Sequence, residues 1–283
     1  MQWIDRMNDA VGYIERHLTD EIDYEQLARL ACCSSYHFQR MFAYMAGVGL
    51  AEYIRRRKMS LAAADLQLGG VKIIDVAAKY GYQSPTAFNR AFQSVHGVAP
   101  SALKSEGVKL KSYPPITFLI TIKGAEEMNY RIETSPAFRV VGVSQKMSNV
   151  VEENFRDVPL LWQRVSTDGT LQKLAARMSA EPKGVLGVCG CGEKDQWRYY
   201  IAVASNEPAG EFETCIVPAC TWAIFPGSGV CPRAIQELEQ RIVTQWLPAS
   251  GFEYADGPDI ELYLSPDPQH AEFEVWVPVK KRN

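Results

Sequence analysis

Two helical stretches carry the same set of groups. Tyr36, Gln39 and Arg40 stand at i, i+3 and i+4, and Thr86, Asn89 and Arg90 repeat that spacing 50 residues later. An amide beside a guanidinium on one helix face is the chemistry that reads base edges in a major groove. Arg pairs with guanine through two hydrogen bonds, and Asn or Gln pairs with adenine in the same way. A second set lies near the other end of the chain, where rings and acids stand two residues apart: Trp197 and Tyr199 in WRYYIAVA, Glu261 and Tyr263 in IELYL, Glu274 and Trp276 in AEFEVWVPV. The period of two puts each pair on one face of a strand. A carboxylate flanked by ring faces can hold an organic cation through charge and ring quadrupole; a solvent-facing strand edge with ordinary glutamates would show the same pattern. Trp162 and Trp222 read as core residues.

No nucleophile–base pair stands out, and His37 and His96 lie inside helical repeats where packing or capping accounts for them, so no catalytic residue is assigned. Cys32 and Cys33 are adjacent, and Cys189-Gly190-Cys191 is too tight for a two-residue zinc knuckle. The seven cysteines are expected to be reduced thiols, with no metal and no cofactor.

The elements that would position these groups follow from the chain's self-similarity. Residues 25–48 align without gaps to residues 75–98, with seven of 24 positions identical, including Phe38/Phe88, Arg40/Arg90 and Phe42/Phe92. Such a repeat is one supersecondary unit used twice. Each copy reads as helix, turn, helix, with Ser34 and Ser84 as N-caps and Pro85 at the first helical position. Phe38, Met41, Phe42 and Met45 form one apolar stripe, and Phe88, Ala91, Phe92 and Val95 form its copy. The opposite faces are expected to present the amide and the arginine; a helical bundle with solvated outer faces is the alternative. The helix from Gly49 to Leu68, ending at Gly69-Gly70, would span ~30 Å. That is close to the ~34 Å between major-groove faces on one side of a duplex. Arg55, Arg56, Arg57 and Lys58 on this helix read as a salt-bridged face or a phosphate contact.

Beyond Tyr113-Pro114-Pro115 the pattern changes to short alternating runs with two interspersed helical segments, 155–165 and 232–247. The reading is therefore multidomain: an all-α domain over 1–106 with helix-turn-helix units at about 23–48 and 73–98 joined by helix 49–68, a linker over 107–127, and an α+β domain over 128–283. Charge divides the same way. Residues 1–112 hold 14 Lys and Arg against 11 Asp and Glu, and residues 113–283 hold 16 against 22, within a chain of net charge -3. A mildly basic front and an acidic back imply two different partners.

The segments SSYHFQRMF, GLAEYIRRRKM and IIDVAAKYGYQSPTAFNRAFQSVHGVAPSALK resemble the AraC/XylS DNA-binding domain over nearly all of residues 5–106. The resemblance implies tandem helix-turn-helix units with base readout by Tyr36, Gln39 and Arg40 in the first and by Thr86, Asn89 and Arg90 in the second. Pro85 and Ala87 replace longer polar residues there and leave the second helix fewer base-reading groups. RIETSPAFRVVGVS, LLWQRV, IELYL and FEVWVPV resemble a GyrI-like effector-binding domain, which implies a duplicated strand–helix arrangement, an antiparallel sheet and a groove for small cationic or aromatic ligands. Ligand contacts are expected from Glu274, Trp276, Glu261, Tyr263, Tyr199 and Trp197.

The function expected is a bacterial one-component transcriptional regulator that reads two successive major-groove segments and senses a small molecule, not an enzyme. Its partners would be double-stranded DNA and an effector, with RNA polymerase a candidate and no membrane. The location would be the cytoplasm, since the N-terminus lacks a secretory signal and no apolar run approaches ~20 residues. The alternatives are a GyrI-like domain that hydrolyses a reactive small molecule, or one that docks a protein.

Overall fold

The computed structural model describes residues 3–105, 107–119, 127–148, 151–191, 197–265 and 267–282. The chain divides into two units, one formed by Met1–Ala31 with Ala46–Ile120 and the other by Cys32–Met45 with Thr121–Asn283. The second therefore includes most of a helix that the sequence assigns to the first helix-turn-helix.

The first unit holds α1 (Trp3–Arg16), α2 (Tyr24–Ala31), α4 (Leu50–Leu68), α5 (Ile73–Lys79), α6 (Pro85–His96) and a 3-10 turn, Pro100–Lys104. Its starts follow the capping chemistry. Asp23 Oδ1 accepts from the Glu25 and Gln26 amides at 2.8 and 3.1 Å ahead of α2, and Ser84 Oγ accepts from the Ala87 amide at 3.1 Å ahead of α6. Gly97, with φ +80°, ends α6 in the left-handed conformation that glycine adopts without a steric penalty. Met59, Ala62, Val76, Tyr80, Phe88, Phe92 and Val95 form the core around α4, α5 and α6. His96 is buried there, its Nε2 3.1 Å from the Met59 carbonyl.

The first part of the expected linker is strapped to this unit. The Phe118 amide donates to Asn8 Oδ1 at 2.8 Å, the Tyr113 amide donates to Ser60 Oγ at 3.0 Å, and Arg57 donates to the Tyr113 carbonyl. Residues 120–126 of that linker lie outside the described residues.

The second unit holds α3 (Ser35–Ala46) up to Met45, then β1 (Arg131–Ser135), β2 (Phe138–Lys146), α7 (Val151–Thr167), α8 (Thr170–Ala175), β3 (Val185–Cys191), β4 (Arg198–Ala204), β5 (Glu213–Val217) and β6 (Cys220–Gly229). It continues with α9 (Arg233–Arg241), a π turn over Ile242–Trp246, α10 (Leu247–Ala249), β7 (Phe252–Tyr254), β8 (Asp259–Tyr263) and β9 (Ala271–Lys281). Among the described residues every strand pairing is antiparallel, in the order β1-β6-β9-β8-β3-β4-β2-β5, with β7 on β9. Two halves repeat one plan: β2-α7-β3-β4 and β6-α9-β8-β9 each run strand, helix, hairpin, and they meet where β3 pairs with β8. One sheet face packs Ile201, Val203 and Tyr199 with Leu161, Val165 and Leu174 from α7 and α8. Leu186, Val188, Trp222, Ile224, Ile260, Leu262 and Trp276 form an apolar layer on the other face.

Cys32, Cys33, Cys189, Cys220 and Cys231 are free thiols, but Cys215 is disulfide-bonded, which corrects the all-reduced expectation. Spacing gave no sign of it, because a disulfide needs proximity in space and not in sequence.

Candidate ligand cavity and DNA-reading helices

Strand β8 is the axis of the site. Asp259, Glu261 and Tyr263 alternate onto one of its faces, and Ile260 and Leu262 turn to the other as core. Glu261 Oε2 accepts from the Tyr199 hydroxyl on β4 at 2.8 Å and from the Tyr263 hydroxyl at 3.0 Å. The Trp162 indole on α7 donates in turn to the Tyr199 oxygen at 2.8 Å. Between β8 and β4 stands Gly187 of β3. A Cβ at that position would lie 2.2 Å from the Tyr199 oxygen and 2.8 Å from Glu261 Oε2, so the hydrogen bond crosses a place only glycine leaves open.

Glu261, Tyr199, Tyr263 and Trp162 line a cavity of about 710 Å³, within the range for small-molecule sites. Its walls include Phe155, Val158 and Trp162 of α7, Ile235 and Glu239 of α9, and Tyr36, Arg40 and Tyr44 of α3. Burial and the nearby Glu239 raise the Glu261 carboxyl from 4.5 to about 7, against the opposing pull of Arg40 and the two tyrosine hydroxyls. The hydroxyls of Tyr199 and Tyr263 are pushed well above their ordinary value by burial and by Glu261, so both remain donors.

Glu274 and Trp276 are elsewhere. Opposite β8 on β9, Glu274 pairs with Leu262 and Trp276 with Ile260, which places them on the face away from Glu261. Glu274 is held by Arg131 at 2.7 and 3.0 Å and accepts from the Trp276 indole at 2.8 Å. Glu274, expected in the pocket, therefore does not line this cavity. The strand pattern correctly paired Glu274 with Trp276, but periodicity alone does not say which face meets a cavity. Trp197 shares a face with Tyr199 yet packs edge-on against Tyr36, with ring centroids 5.1 Å apart, and does not line the cavity. Trp222 is core, whereas Trp162, also read as core, lines the cavity. Sequence reasoning missed Trp162, Glu239 and Asp259. A signal existed for Glu239, which falls on the apolar stripe Ile235, Glu239, Ile242, Trp246 where a charge is out of place.

The two candidate reading helices differ in their surroundings. On α6 the polar face is open: Thr86 and Arg90 are exposed and Asn89 is partly so. On α3 residues Ser35–Phe42 are all buried, with Tyr36, Gln39 and Arg40 only 6, 4 and 7% exposed, which corrects the expected solvent-facing polar face. The reason is a set of acidic partners some 200 residues away in sequence. Arg40 donates to Asp259 at 2.7 Å and pairs with Glu239. The Tyr44 hydroxyl donates to Glu239 Oε2 at 2.5 Å, and the Cys189 thiol donates to the Tyr36 oxygen at 2.7 Å. His37 Nε2 lies 3.3 Å from Asp259 and the ring stacks on Tyr254 at 4.3 Å. Burial would raise the Asp259 carboxyl, but His37 and Arg40 hold it below the ordinary value. Of the basic run on α4, Arg57 pairs with Glu15 at 2.7 Å, Arg55 and Arg56 both pair with Glu52, and Lys58 donates to the Tyr80 carbonyl at 3.2 Å. That is the salt-bridged alternative.

Comparison with known proteins gives two domain matches: a GyrI-like small molecule binding domain over residues 128–280 and a helix-turn-helix domain over residues 27–106. The HTH-type transcriptional activator AarP of Providencia stuartii is 34% identical over 95 residues, which cover 34% of this chain and 70% of AarP. The transcriptional regulator Rob of Salmonella typhimurium is 30% identical over 149 residues, or 52% of this chain and 50% of Rob. Among solved structures, SAV2435 bound to tetraphenylphosphonium is 22% identical with a TM-score of 0.49, covering 54% of this chain and 94% of that one. No helix among the described residues is long and apolar enough to cross a membrane.

Proposed function

Because the chain belongs to the AraC-type helix-turn-helix transcriptional regulators that carry a GyrI-like small-molecule binding domain, we propose that it senses a lipophilic organic cation in the cavity around Glu261 and couples this to the reading of duplex DNA. The observation that carries the ligand class is Glu261: a largely buried carboxylate whose hydrogen-bond partners are the Tyr199 and Tyr263 hydroxyls, in a cavity walled by Trp162 and Phe155. A carboxylate out of bulk water is costly until a charge compensates it, and a cation leaving water needs the carboxylate and ring faces in return. DNA reading belongs to Tyr36, Gln39 and Arg40 of α3 and to Thr86, Asn89 and Arg90 of α6. The chain would act in the cytoplasm on promoters served by RNA polymerase, as a regulator and not as an enzyme.

The test is calorimetry on the full chain with tetraphenylphosphonium and with an uncharged ligand of the same shape. Glu261→Gln should weaken the cation tenfold or more, about 1.4 kcal/mol, and leave the neutral ligand nearly unchanged; Glu274→Gln should change neither. Equal losses for both ligands in Glu261→Gln would make Glu261 structural and remove the cation reading.

A further inference from the structure

The candidate base-reading groups of α3 are all buried inside the second unit, whereas the matching face of its repeat, α6, is open. Tyr36 accepts from Cys189, Arg40 is clamped between Asp259 and Glu239, and Gln39 is buried between them in sequence. Burial pulls the Arg40 pKa down, but Glu239 and its neighbours hold it well above the ordinary value, so the guanidinium stays charged in the clamp. The clamp suits that guanidinium: two carboxylates, from β8 and α9, converge on it. It also borders the ligand site, since Tyr36, Arg40 and Tyr44 line the same cavity as Glu261 and Glu239.

We propose that α3 is the resident occupant of the effector domain: Arg40 fills its Glu239–Asp259 clamp as an internal substitute for a cationic ligand, so that docking of α3 and base reading by α3 exclude one another. This rests on the reading of the chain as a cation-sensing DNA-binding regulator and adds its mode of regulation. The exclusion is steric and electrostatic. A guanidinium clamped between two carboxylates and 7% exposed cannot reach a guanine edge, and a helix whose residues 35–42 are covered has no face for a groove. An organic cation entering beside Glu239 and Glu261 competes with Arg40 for the same negative charge. The cation therefore frees α3 and does not lock it in place.

Cys189 supplies a reporter that needs no substitution. Its thiol is covered by Tyr36, and burial pushes its pKa up to about 12. The experiment follows alkylation of each cysteine in the full chain by mass spectrometry, with and without a duplex selected from a random pool. Cys189 should react far more slowly than exposed Cys32 in the free chain and at least tenfold faster once the duplex is bound. Cys189 equally protected on the duplex overturns the proposal. A second arm neutralises the clamp with Glu239→Gln and Asp259→Asn together, which should expose Cys189 and raise duplex affinity at least tenfold. Unchanged Cys189 reactivity in that variant overturns docking through the clamp. Cys189 exposed in the variant with no duplex selected at all leaves the docking standing and overturns the DNA-reading on which it was built. In a third arm, tetraphenylphosphonium should raise the duplex affinity of the wild-type chain; a cation that binds by calorimetry yet lowers duplex affinity overturns the competition.

Discussion

Glu261 carries a thermodynamic signature of its position. Its carboxyl is raised from 4.5 to about 7 by burial and by Glu239, so the native state holds a proton over a range where the unfolded chain has released it. The contribution of this group to stability is then complete below pH 4.5 and is lost as pH rises through about 7. The loss is about 2–3 kcal/mol, allowing for screening by water in the cavity mouth. The difference in unfolding free energy between Glu261→Gln and the wild type should therefore climb from pH 4.5 to 7.5 in denaturant titrations; a flat difference would mean that the carboxyl is not perturbed. The same titration should appear in binding, with tetraphenylphosphonium affinity falling as pH drops below about 7 and the fall absent from Glu261→Gln. Gly187 is the second residue-scale determinant. Gly187→Ala places a methyl carbon 2.2 Å from the Tyr199 oxygen. The expected result is about 1–3 kcal/mol of destabilisation and loss of cation binding, read by thermal unfolding and calorimetry.

At the level of elements, α3 and α6 show how one repeated unit diverges through its surroundings. The polar face of α6 is exposed, so Arg90→Ala should leave stability unchanged within about 0.5 kcal/mol. It should cost about 1–3 kcal/mol on a preferred duplex and relax base choice at one or two positions, measured by titration against a randomised site. A uniform loss across all sequences would assign Arg90 to the phosphate backbone instead. Ser84 belongs to the same helix as its N-cap, accepting from the Ala87 amide at 3.1 Å. Ser84→Ala should cost about 1 kcal/mol of stability, because that amide then loses its partner.

Under the proposed competition for the clamp, ligand and DNA affinities are linked across the whole molecule. If a cation shifts duplex affinity by some factor, the duplex must shift cation affinity by the same factor, since both bias one equilibrium. Calorimetric titration of tetraphenylphosphonium into the free chain and into the chain–duplex complex should return that equality. Duplex affinity should also fall as salt rises, through counterion release. The slope should be modest, because Arg55, Arg56, Arg57 and Lys58 spend their donors on Glu52, Glu15 and the Tyr80 carbonyl within the protein.

The repeat, the caps at Ser34 and Ser84, the apolar stripes of the helices and the alternation of the strands are local in sequence, and these were readable without coordinates. Periodicity also placed Glu261 with Tyr263, and Glu274 with Trp276. It could not say which pair faces the cavity, because period two defines two faces and only the packing of α7 and α9 against one of them makes that face a site. Trp162 and Glu239 enter the site through contacts between distant segments, and the fate of Arg40, held by Glu239 and Asp259, was decided the same way. A polar helix face looks solvent-bound in sequence; whether it meets water, DNA or a pair of carboxylates 199 and 219 residues further along is set by the tertiary structure.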